Sequence, residues 1–86
     1  MQNNKKTAEE SNDTLDLLTQ SFKLHREKLE RGDLGKIADA SEETIHTVNQ
    51  YITRLQGKSV VTGLKILKAM KELLETREEE VKRLTA

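Results

Sequence analysis

His46, Thr47, Asn49 and Gln50 are the side chains whose types and spacing could do directed chemistry. On a helix His46, Thr47 and Gln50 share with Glu43 and Arg54 the side opposite an apolar stripe, flanked by Asn49 and Thr53. Asn and Gln amides can each donate to and accept from one adenine edge in a DNA major groove. Other chemistries find no footing. The chain has no cysteine, which excludes a thiol nucleophile, a disulfide and a thiolate metal site. A zinc site would need carboxylates clustered with His25 or His46, and neither has them. No serine, histidine and acid stand in a nucleophile context. Gly57-Lys58-Ser59 does not complete a phosphate-binding loop, because Ile52 stands where that loop needs its first glycine. The expectation is a protein that is not an enzyme, with no catalytic residue, metal, cofactor or small-molecule substrate.

Charge placement points the same way. The 86 residues carry 15 basic and 15 acidic side chains, for a net charge of zero. Residues 44–71 nevertheless hold five cations (Arg54, Lys58, Lys65, Lys68 and Lys71) and no carboxylate. Such a segment makes a local positive field that favours phosphate. Lys36, Arg54, Lys58 and Lys65 are the expected phosphate contacts. Aromatic residues are only Phe22 and Tyr51, too few for base stacking on single strands.

The elements that must position these groups read as helices throughout. There is no proline, and Leu, Glu, Lys, Thr and Ala dominate. The expected fold is all-α with four helices, at 14–31, 33–40, 42–56 and 60–84. Residues 1–12 are polar and read as a disordered tail before a single domain at 13–86. Asp13 caps the first helix, whose stripe is Leu15, Leu18, Phe22, His25 and Leu29. Gly32 ends it in a left-handed conformation. The second helix presents Leu34, Ile37 and Ala38. The third carries a stripe of Ile45, Val48, Ile52 and Leu55, with Ser41 as its N-cap. Gly57 stops it, and Ser59 or Thr62 caps the last helix. There Leu67, Leu74 and Val81 repeat every seven residues, with Met70 and Leu84 beside them and Arg77 interrupting the seam.

The stretch Leu34-Gly35-Lys36-Ile37-Ala38-Asp39-Ala40-Ser41-Glu42-Glu43-Thr44-Ile45-His46-Thr47-Val48 resembles the helix-turn-helix of phage repressors and bacterial transcriptional regulators. In that family a Leu-Ala start leads to Ser-x-x-Thr-Val-x-x-Val. Here Asp39 stands at the usual turn glycine, and Glu42 and Glu43 open the second helix. A second register matches Ile37-Ala38 and Thr47-Val48 to the family's Ile-Ala and Thr-Val, and leaves Glu43 at a core position. The resemblance implies sequence-specific binding of double-stranded DNA by a small regulator in the cytoplasm. It also implies a homodimer on a near-palindromic site. Leu67, Met70, Leu74 and Val81 are then the expected dimer contacts. The alternative is a helical protein–protein interaction module with no nucleic-acid role. No apolar run is long enough to span a membrane, and no signal peptide is visible.

Overall fold

The computed structural model describes residues 2–86, with side chains described from residue 13 onward. The polar tail expected at 1–12 falls outside the residues whose side chains are described. Among the described residues the chain is all-α: α1 Gln2–His25, a 3-10 turn Arg26–Lys28, α2 Asp33–Ser41, α3 Ile45–Ile52 and α4 Val60–Thr85. The two long helices α1 and α4 pack on each other, and the two short ones fill the remaining side of the core. Leu18 and Phe22 of α1, Ile37 and Ala38 of α2, Val48, Tyr51 and Ile52 of α3, and Ile66, Ala69 and Met70 of α4 are buried together. Phe22 meets Tyr51 edge to face, ring centroids 6.0 Å apart. Gly63 lets α4 close on α1, since a Cβ there would lie 3.0 Å from Leu18.

The first helix stops at His25, six residues before the expected end. The reason is tertiary. Leu29 must leave the helical path to pack on the core, and its backbone is extended, with ψ at 142°. Arg26 is drawn to the far end of α3, where its guanidinium donates to the carbonyls of Ile52 (3.3 Å) and Thr53 (3.0 Å). Gly32 is left-handed as expected (φ 90°), but it introduces α2 instead of ending α1.

Asp33 opens α2 and is only 1% exposed. Its carboxylate accepts from the Glu30 N–H at 2.6 Å and from both terminal nitrogens of Arg77, at 2.9 and 2.7 Å. This two-pronged pair fastens the start of α2 to the middle of α4. It also explains the interrupted seam: Arg77 turns to Asp33 where an apolar residue would have met a core neighbour.

Ser41 is not the cap of α3. It is the buried last residue of α2, and its hydroxyl donates back to the Ile37 carbonyl at 2.7 Å. The chain turns left-handed at Glu42 (φ 59°), not at Asp39. The Glu43 N–H returns to Ala38 O (3.1 Å) and the Glu42 N–H to Asp39 O (3.3 Å). That pair of bonds is a Schellman ending. Thr44 caps α3 by accepting from the Thr47 N–H at 3.1 Å. Ile37, Ala38 and Val48 are all buried where α2 and α3 meet the core. Glu43 escapes a core position because it turns aside to Lys65 of α4, 2.9 Å away.

The third helix is also shorter than its apolar spacing predicts, ending at Ile52 and not Gln56. Leu55 reaches the core from a left-handed backbone (φ 55°), which lets the Gln56 N–H return to Gln50 O at 2.8 Å. Gly57 is therefore not the stop. It is needed for contact, since any Cβ there would overlap the Tyr51 ring. Ser59 caps α4, accepting from the Thr62 N–H at 3.2 Å.

Candidate nucleic-acid interface

An eight-residue helix such as α3 does not hold itself in water. It is held on three sides. Val48, Tyr51 and Ile52 bury its inner face. Thr44 closes its first turn, and the Arg26 cation sits on its last carbonyls, where the helix dipole favours positive charge. The Tyr51 hydroxyl then donates to the Ser59 carbonyl (2.9 Å) and accepts the Ser59 N–H (2.8 Å). That double bond fixes the loop between α3 and α4 against the helix.

The outer face of α3 is thereby presented as a rigid surface. His46 and Thr53 are exposed, and Asn49 and Gln50 are half-exposed. No described hydrogen bond engages the His46, Asn49 or Gln50 side chains. Thr47 differs. Its hydroxyl receives the Thr44 hydroxyl at 3.0 Å and so belongs to the cap. Ile45, expected in the core, is 56% exposed and joins the outer face. Beside Thr47 and Gln50 an open groove of about 530 Å³ runs along Gly57, Lys58, Ser59 and Thr62.

The expected phosphate contacts divide into two groups. Lys36, Arg54 and Lys58 are exposed, and among the described residues none of the three forms an ion pair. Lys65 is engaged by Glu43, whose hydrogen bond and charge hold its ammonium above the usual lysine range. The pair also neutralises the Glu43 carboxylate beside the start of α3.

The expected dimer residues divide as well. Met70 is fully buried in the chain's own core and offers nothing to a partner in this arrangement. Leu67 and Leu74 are half-buried against that same core. Val81 is 54% exposed near the end of α4, and Leu84 follows it at 82%.

Sequence reasoning missed Ile45, the Arg26 cap, the Tyr51–Ser59 clamp and the Asp33–Arg77 pair. One of these had a visible signal. A cation in an apolar seam, as Arg77 is between Leu74 and Val81, calls for a buried acid elsewhere. Among the described residues no group of three His, Cys, Asp or Glu side chains could hold a metal ion. No described helix is long and apolar enough to cross a membrane. Comparison with protein-family models, curated proteins and solved structures returned no match.

Proposed function

We propose that this chain is a small sequence-specific DNA-binding regulator that seats α3 in the major groove of duplex DNA and acts as a homodimer. The observation that carries the reading is the outer face of α3. Its His46, Asn49 and Gln50 are unengaged hydrogen-bonding groups on a helix clamped from behind by α2, Arg26 and the Tyr51–Ser59 bonds. Lys36, Arg54 and Lys58 stand free to contact phosphates, on α2 and on the segment just after α3. In this reading His46, Asn49 and Gln50 read base edges, and Thr47 positions the first turn of the helix. Val81 and Leu84 supply the pairing surface for a second copy, with Leu67 and Leu74 at its margin.

Titration of duplex DNA at two salt concentrations tests this. With three phosphate contacts per protomer, a slope of about −0.9 per contact weakens binding roughly 40-fold between 50 and 200 mM salt for a monomer, and roughly 1800-fold for a dimer. Gln50→Ala combined with Arg54→Ala should weaken it further. No binding at 50 mM salt by folded protein overturns the reading. A second reading, a protein-docking module, draws on exposed Leu17 and Leu24 of α1 and on Val61 and Leu64 of α4. It predicts partner binding that survives Arg54→Glu with Lys58→Glu.

A further inference from the structure

The first residue of α3 is out of place for a helix that buries its other aliphatic residues. Val48 and Ile52 are almost wholly inaccessible, whereas Ile45 keeps 56% of its surface in water. The cause is the turn. Glu42 and Glu43 close the Schellman ending, Thr44 caps, and Ile45 enters the helix above the rim of the core. It stands one turn before Asn49, on the same side of the helix. The neighbouring outward groups are His46, Asn49, Gln50 and Thr53, all polar. Ile45 is thus the one aliphatic side chain on a face otherwise made for hydrogen bonds.

The floor of the major groove has a matching feature. Each base pair displays donors and acceptors there, and thymine alone adds an apolar group, its C5 methyl. We propose that Ile45 is a specificity-determining residue that packs on the C5 methyl of a thymine, next to the base read by Asn49. The proposal rests on the DNA-binding reading above and adds a base and a residue to it. A branched aliphatic side chain held by the first turn of a capped helix has few conformers to lose on contact, which suits it to recognise one methyl group.

The test separates the proposal from the reading beneath it. The full chain is used to enrich sites from a random duplex library. Each thymine of the enriched site is then replaced singly by deoxyuridine, which removes only the methyl. For the wild type, one thymine per half-site should cost about fourfold in affinity when its methyl is removed, the worth of one buried methyl-sized group. Ile45→Ala should bind the thymine site about fourfold more weakly and be indifferent to that same replacement. Because Ile45 is largely exposed, the variant should melt with the wild type, which excludes misfolding as the cause. The proposal is overturned if the deoxyuridine penalty is equal in wild type and Ile45→Ala, or if the enriched sites contain no common thymine. Failure of folded protein to enrich any site overturns the DNA reading itself, and the role of Ile45 with it.

Discussion

Asp33 is a carboxylate that the fold cannot leave uncharged without loss. The Arg77 hydrogen bonds hold its carboxyl below the usual range, against the opposing effect of burial, and the Glu30 N–H adds to the lowering. A carboxyl whose folded-state pKa is depressed contributes stability above its unfolded pKa, and that contribution is lost as pH falls through the folded value. Melting temperature should therefore decline as pH drops below about 4, the ordinary carboxylate range. Asp33→Asn should melt lower than wild type at pH 7, and the gap should close as pH falls. Thermal melts between pH 7 and pH 2 check this, and a gap that stays constant with pH would sink it. Neither member of the pair could be matched from sequence. Forty-four positions separate them, and Asp33 looks like an ordinary acid at a helix start. Only the irregularity of Arg77 in its seam was legible.

At the scale of elements, helix α3 depends on fastenings outside itself. Tyr51→Phe keeps the ring against Phe22 and removes both bonds to Ser59. With each bond worth about 0.5–1.5 kcal/mol, the variant should lose about 1–3 kcal/mol. Its urea midpoint should fall while the slope stays as in the wild type, because the surface exposed on unfolding is unchanged. An unaltered midpoint would mean that the loop is held by other contacts. The same helix shows where sequence reading stopped. The existence of four helices, the buried run Val48 and Ile52, and Ser59 as one of two candidate caps were legible from periodicity and residue type. The boundaries of α3 were not. Ser41 and Thr44 are equally good caps by type, and burial of Ser41 in α2 decides between them. Ile45, Val48, Ile52 and Leu55 fit one helical stripe, yet only Val48 and Ile52 use it. Leu55 arrives at the core through a left-handed residue, a conformation no spacing rule anticipates for leucine.

Taken whole, the molecule measures 57 × 27 × 19 Å, and its two long helices are α1, of 24 residues, and α4, of 26. From Glu78 onward its side chains are all exposed, and a Glu78–Lys82 pair at 3.8 Å gives it only weak local support. Val81→Asp with Leu84→Asp tests whether this extension pairs two copies. The double variant should keep the wild-type melting temperature, sediment as a monomer, and show about half the wild-type salt slope on DNA. A variant that stays dimeric would move the pairing surface elsewhere, with Leu17 and Leu24 the next place to look. The order of the helices has one more consequence, for how the protein is made. The core needs α4, through Ile66, Ala69 and Met70, and Asp33 needs Arg77, which is synthesised later still. As the chain leaves the ribosome, α2 and α3 appear with α1 to pack on but without the α4 side of the core. A product truncated before Arg77 keeps a carboxylate at the start of α2 without its partner. The outer face of α3 is therefore backed by a complete core only once α4 has been made.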